Sequence, residues 1–126
     1  IGHSDADVLI HSICDALLGA SNLGDIGANF PDNSDEFKGI DSKIILSRTV
    51  ELIRNKGFEI VNIDSTICLQ NPKIQPYIQK MKIALSNTLN ITIDRISIKA
   101  TTTEHLGFVG REEGISAYAI ALIYKK

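Results

Sequence analysis

Between Ser4 and Asn22 the chain is rich in apolar positions: Val8, Leu9, Ile10, Ile13, Cys14, Ala16, Leu17 and Leu18. Asp7, His11 and Asp15 form one narrow polar stripe, with His11 four residues after Asp7 and four before Asp15, a spacing that stacks them on one helical face. A helix apolar around most of its circumference is expected to be buried. Ser4 is a natural N-cap, with Asp7 as its capping-box partner, and the helix ends near Gly19 or Asn22. Residues 24–40 hold Gly24, Gly27, Gly39, Pro31 and the run Asp32-Asn33-Ser34-Asp35, which is loop chemistry. Asp41 or Ser42 opens a second helix with Ile45, Leu46, Val50 and Ile53 inward, closed by Gly57 as a C′ glycine. Residues 58–69 predict a strand, with Val61, Ile63, Ile67 and Leu69 on one face and Asn62, Asp64 and Thr66 on the other. Asn71-Pro72-Lys73 breaks it, and a third helix runs from about Pro76 to Leu89. Residues 95–102 alternate as a second strand. A glycine-rich turn from Leu106 to Arg111 leads to a last strand at about 114–124, apolar on both faces.

The order α-α-β-α-β-β predicts an α+β fold, a mixed or antiparallel sheet with helices packed on one face. Ile120 and Leu122, on the outer face of the last strand, still need cover, and another subunit is the expected cover. The 126 residues suit one domain. A net charge of −2 gives no general attraction to nucleic acid or anionic membrane, and no apolar run reaches membrane-spanning length. Any phosphate site must therefore be local. Cys14 and Cys68 lie apart in apolar runs, as buried reduced thiols of a cytosolic protein would. The chain opens at Ile1, without a Met, and enters a helix cap at once, so it reads as the remainder of a longer protein.

His11 has two readings: a buried histidine satisfied by Asp7 or Asp15, or a zinc ligand oriented by Asp15 or a carbonyl. One histidine does not make a zinc site. His3 and Ser4 stand at a helix start, a place for an anion, but Asp5 and Asp7 would repel a bare phosphate unless a metal bridged them. Thr101-Thr102-Thr103-Glu104 is either a strand running into a capping box or a set of hydroxyls and a carboxylate for phosphate and a hard cation. Gly107, Gly110 and Arg111 do not form a Walker motif, and Arg111 can pair with Glu112 or Glu113. Lys73 sits on a loop at a strand end, where ligands gather in open α/β sheets, or is a solvated charge. Asp25 and Asp32 lie in a long loop of the kind that is often functional, or serve as turn residues.

In combination these stretches resemble one family, the 2-C-methyl-D-erythritol 2,4-cyclodiphosphate synthases. The matching pieces are His3-Ser4-Asp5-Ala6-Asp7-Val8 with His11, Asp15-Ala16-Leu17-Leu18-Gly19, Asp25-Ile26-Gly27 and Phe30-Pro31-Asp32. Phe37-Lys38-Gly39 with Asp41-Ser42, Pro72-Lys73, Lys99 through Glu104, and Leu106-Gly107-Phe108 with Gly110-Arg111 follow in the same order. The resemblance implies a homotrimer with sheets facing the three-fold axis and active sites between subunits, in a bacterial cytoplasm or a plastid. It implies a metal-dependent, intramolecular phosphoryl transfer of the non-mevalonate isoprenoid pathway, in which the 2-phosphate of 4-diphosphocytidyl-2-C-methyl-D-erythritol 2-phosphate attacks the β-phosphorus and CMP leaves. Zinc would be held by His11 and by an Asp-x-His pair on an early strand that this single domain, residues 1–126, lacks, so the truncated chain itself would be inactive.

By the same resemblance His3 and Thr102 would stabilise the transition state. His3, Ser4, Asp25, Ile26, Gly27, Phe30, Pro31, Asp32, Asn33 and Ser34 would line the methylerythritol end. Leu69, Gln70, Asn71, Pro72, Lys73, Ile74 and Gln75 would hold cytidine on a neighbouring subunit. Thr101, Thr102, Thr103 and Glu104 would hold the diphosphate, with Glu104 a ligand for Mg²⁺ or Mn²⁺, and Phe108 and Arg111 would complete the surface. Two other readings stand beside it: a zinc-dependent nucleotide phosphohydrolase, and a non-catalytic trimer that senses a nucleotide or isoprenoid diphosphate.

Overall fold

The computed structural model describes residues 3–31, 41–70, 74–111 and 114–126, with the side chains of His3 and Ser4 outside that description. Helix α1 spans His3–Ala20, and a single turn, α2, spans Ile26–Asn29. Helix α3 is Ser42–Asn55, strand β1 Phe58–Cys68 and helix α4 Gln75–Leu89. A 3₁₀ turn at Ile93–Arg95 leads into strand β2, Ile96–Thr101. A second single turn, α5, is Gly107–Gly110, and strand β3 is Ser116–Lys125. The periodicity thus locates the three long helices and three strands; α2, α5 and the 3₁₀ turn lie in stretches too short to show a period.

The sheet is mixed, in the order β2-β1-β3. β1 pairs parallel to β2 and antiparallel to β3. Ile63, Ser65 and Ile67 share a face with Ile96 and Ile98 of β2 and with Ala117, Ala119 and Ala121 of β3, and the three long helices cover that face. α1 lies over β3, α3 over β1 between the other two helices, and α4 over β2. Small alanines on β3 let α1 approach closely, and Leu9, Ile13, Cys14, Leu17 and Leu18 of α1 are fully buried there.

Val61 does not share the face of Ile63. The register shifts between Ile60 and Asn62, so Val61 is the extra residue of a β-bulge. Core positions therefore run Ile60, Ile63, Ser65, Ile67 instead of alternating throughout.

Two polar contacts fix the helices. Ser42 Oγ donates to Asp7 Oδ1 at 2.6 Å, tying α3 to α1; the capping-box side chain of Ser4 lies outside the described residues. Arg54, in the last turn of α3, donates to Glu59 Oε1 at 2.7 Å and to the Leu89 carbonyl at 2.8 Å, satisfying an otherwise open carbonyl at the end of α4. The Arg54 guanidinium, and then Lys126, hold the Glu59 carboxyl below its usual range. Asp41 caps α3 by accepting from Lys43 N at 2.8 Å, and Gly57 follows the helix at φ +90°, where glycine carries no Cβ penalty. Among the described residues, no helix is long and apolar enough to cross a membrane.

Burial pushes the Cys14 thiol from its ordinary value of 9.0 up to about 12. A folded-state value above the unfolded one means the folded state keeps a proton that the unfolded chain releases. The unfolding free energy is therefore expected to fall as pH rises from 9.0 toward 12, in part through this thiol. At pH 8 Cys14 should resist alkylation in native protein, read by mass spectrometry, and react on unfolding; native-state labelling of Cys14 would contradict its burial.

Candidate functional site

His11 is exposed on α1, so it is not a core histidine held by its neighbours. Asp7 is engaged by Ser42, and one Asp15 oxygen accepts from the backbone N–H of Ile26 at 2.9 Å. The stripe thus has two carboxylates in structural bonds and an imidazole that no described hydrogen bond occupies. Such a ring can serve as a single metal ligand. Among the described residues no group of three or more His, Cys, Asp or Glu side chains could hold an ion, so further ligands for His11 would have to come from elsewhere.

The Asp15 bond draws the Asp25-Ile26-Gly27 stretch to α1. Asp25 is the N-cap of α2 and accepts from Ala28 N at 2.8 Å. Asn29 Nδ2 donates to the carbonyls of Leu23 and Asp25 at 2.8 Å each, bracing the same loop. Asp25 and Gly27 remain exposed beside it. Phe30, read as a contact to ligand, is buried at 6% exposure. Pro31 is exposed. Asp32, Asn33 and Ser34 lie outside the described residues.

A second group gathers where the parallel strands β1 and β2 end. Leu69 N donates to the Thr101 carbonyl at 3.0 Å, continuing the ladder. Gln70 then reaches across to the next loop: its Oε1 accepts from His105 N at 3.0 Å, and Thr102 Oγ1 stands 3.4 Å from the same oxygen. Thr102 Oγ1 accepts from Glu104 N at 2.8 Å, and Thr103 Oγ1 donates to the Leu106 carbonyl at 2.8 Å. These bonds make 102–106 a closed turn and not a capping box. Thr101, Thr102 and Glu104 are exposed on it. Leu69 and Ile74 are buried side chains of the core, while Gln75 is exposed. Asn71, Pro72 and Lys73 lie outside the described residues. Phe108, at 50% exposure, stands on α5, and Arg111 is exposed just after it. Lys99 pairs with Asp64 at 3.0 Å and holds that carboxyl below its usual range.

Spacing did not reveal Gln70 and His105 as the link between the two strand ends, because they are 35 residues apart and only the parallel pairing brings them together. Among the described residues no hydrogen bond joins the His11–Asp15–Asp25 group to the Gln70–Thr102–Glu104 group. The first is anchored to α1, which packs on β3 and β1; the second stands where β1 and β2 end. A cavity of about 490 Å³ opens between the start of α1, the start of α3, and α4, lined by residues such as Asp5, Leu9, Ser42, Tyr77 and Met81; neither group lines it.

Gly110 is dictated by the same turn. A Cβ there would stand 2.1 Å from the His105 carbonyl carbon and 2.5 Å from its Cα, an overlap that only a shift of backbone relieves. Gly19, in α1, has nothing within 4 Å of its Cβ position. Gly110→Ala is expected to cost about 1–3 kcal/mol, while Gly19→Ala should stabilise by about 0.5–1 kcal/mol through helix propensity. Urea unfolding of the two variants checks this, and equal stabilities would show that the turn is not packed as described.

The model of the YgbB family matches residues 1–124. A Bacteroides fragilis protein named 2-C-methyl-D-erythritol 2,4-cyclodiphosphate synthase is 63% identical over 123 residues, covering 98% of this chain and 77% of that protein. Among solved structures, the bifunctional IspDF of Campylobacter jejuni superposes with a TM-score of 0.90 at 41% identity, over 94% of this chain and 32% of that one. A CDP complex of IspF from Plasmodium falciparum superposes with a TM-score of 0.84 at 36% identity, over all of this chain and 76% of that one.

Proposed function

The chain belongs to the YgbB family of 2-C-methyl-D-erythritol 2,4-cyclodiphosphate synthases, and from that premise we propose that it closes the cyclic diphosphate of isoprenoid precursor synthesis. The 2-phosphate of 4-diphosphocytidyl-2-C-methyl-D-erythritol 2-phosphate forms a new P–O bond to the β-phosphorus. The bond from that phosphorus to the bridging oxygen breaks, and CMP carries the electron pair away. The observation that carries this reading is the family match running through both exposed groups, His11 with Asp25–Gly27 and Gln70 with Thr101–Glu104.

Such a reaction asks the protein mainly to fold one flexible polyanion on itself and to neutralise charge at phosphorus. In this reading Asp25 and Gly27 take the methylerythritol hydroxyls, with His3, Ser4 and the 30–34 segment beside them. Residues 69–75, with Lys73, take the cytidine end; that the Plasmodium relative forms a CDP complex supports a cytidine nucleotide as the ligand. Thr101 and Thr102 donate their hydroxyls to the diphosphate, with Thr103 beside them, its own hydroxyl proton engaged by the Leu106 carbonyl. The Thr102 hydroxyl proton points at Gln70 Oε1 over a long 3.4 Å, so it can turn to a phosphate oxygen at little cost. His3 and Thr102 stabilise the charge that builds in the transition state, and Phe108 and Arg111 close the surface. His11 is the chain's own ligand for zinc, and Glu104 the carboxylate for Mg²⁺ or Mn²⁺. What these cations supply when bound is the positive charge that lets an aspartate-rich site hold a polyanion.

No described hydrogen bond joins the two groups within one chain, and the proposed site draws them from two copies. A heterologous contact that puts the β2 side of one subunit against the α1 side of the next closes into a ring, and a homotrimer is the ring proposed. The outer face of β3 supports it: Tyr118, Ile120, Leu122 and Tyr124 are 51–73% exposed in one row, more apolar surface than a monomer usually leaves in water.

Phosphorus NMR of the protein with substrate, Zn²⁺ and Mg²⁺ should show the cyclic diphosphate and CMP forming in equal amounts. An open-chain phosphate product would refute the cyclisation and indicate hydrolysis. His11→Ala should lower bound zinc, measured by elemental analysis, and turnover together, the latter by about a hundredfold; wild-type turnover with unchanged zinc would remove His11 from the role.

A further inference from the structure

The turn that carries Thr102 and Glu104 is held in a conformation that its own residues disfavour. Glu104 and His105 have φ of +54° and +66°, two successive non-glycine residues in the left-handed region. Backbone in that region persists only where its surroundings over-determine it. Besides the turn's own bonds, the Gln70 side chain reaches it from just beyond the end of β1.

The amide's orientation follows from donor and acceptor chemistry. His105 N can only donate, so the atom 3.0 Å from it must be the amide oxygen. The NH₂ group then faces His105 Nε2 at 3.2 Å, and that ring nitrogen must accept. Accepting there, the ring carries its proton on Nδ1. One side chain thus grips the backbone and ring of His105 and meets the Thr102 hydroxyl. Gly110 lies so near the His105 backbone that a Cβ there would overlap it.

We propose that Gln70 is a positioning residue, whose amide holds the 102–105 turn in its left-handed form and so fixes where Thr102 and Glu104 stand. The part played by Thr102 and Glu104 rests on the reaction proposed above; the clamp and the tautomer do not.

The test is Gln70→Leu, which keeps the bulk and removes both polar ends, in the full-length protein. Nitrogen NMR of the wild-type His105 ring should show the Nδ1–H tautomer, and Gln70→Leu should move it toward Nε2–H. In turnover, kcat should fall about ten- to a hundredfold with KM changed less than about threefold, the pattern of a group felt mainly in the transition state. Adding His105→Gly to Gln70→Leu should restore at least about tenfold of the loss, because glycine takes positive φ without a clamp. A residue that only touched substrate would not be rescued in this way. A wild-type ring in the Nε2–H form, wild-type kcat in Gln70→Leu, or no rescue by glycine would each overturn the proposal. If the wild-type protein makes no cyclic diphosphate but the tautomer shifts on Gln70→Leu, the reaction assignment falls and the clamp stands.

Discussion

Everything in this fold hangs on β1 as the middle strand of a mixed sheet. Its parallel edge to β2 and antiparallel edge to β3 settle where each loop ends. Parallel pairing places the ends of β1 and β2 side by side, which is why Gln70 can bond to His105 across 35 residues. Antiparallel pairing puts β3 on the other edge, where its small residues accept α1. Burial of Ile60, Ile63 and Ile67 under three helices holds the arrangement, since losing even one such side chain typically costs about 2–5 kcal/mol.

That topology divides the chemistry. One group rides on α1 and the loop that Asp15 pulls against it; the other is built on the ends of β1 and β2. Each is internally braced, by Asp15, Asp25 and Asn29 in the first case and by Gln70 and Thr102 in the second. A single copy has two well-formed halves with nothing described that joins them. Assembly of copies through a heterologous contact would complete the site and would cover the Tyr118-to-Tyr124 row, so one association would answer both features.

The large elements were legible because their periods are long and regular: α1, α3 and α4 stand where 3.6-residue patterning puts them, as do the three strands. Patterning failed where one residue changes the count. Val61, an apolar residue at an alternating position, is thrown out of phase by the bulge. It failed again where polarity had a distant cause. Asp7 looks like local cap chemistry, yet it also accepts from Ser42, 35 residues on. His11 sits among apolar neighbours in sequence, but the stripe that carries it faces outward. The Asp25-Ile26-Gly27 motif was visible as loop chemistry, while the turn of helix within it was too short to show a period. The candidate site was legible as a set of residue types; its division into two groups and the Gln70 link depend on strand pairing, which spacing does not encode.

The central claim is that the α1 group of one copy works with the strand-end group of another. Co-assembling a His11→Ala chain with a Thr102→Ala chain tests it most directly, with turnover of the mixture read against each variant alone. Each variant by itself should be nearly inactive, and an equal mixture should recover about a quarter of wild-type turnover, because random pairing around a closed ring leaves that share of sites with both halves intact. A mixture no more active than its parts would place both groups in one subunit's site and contradict the account.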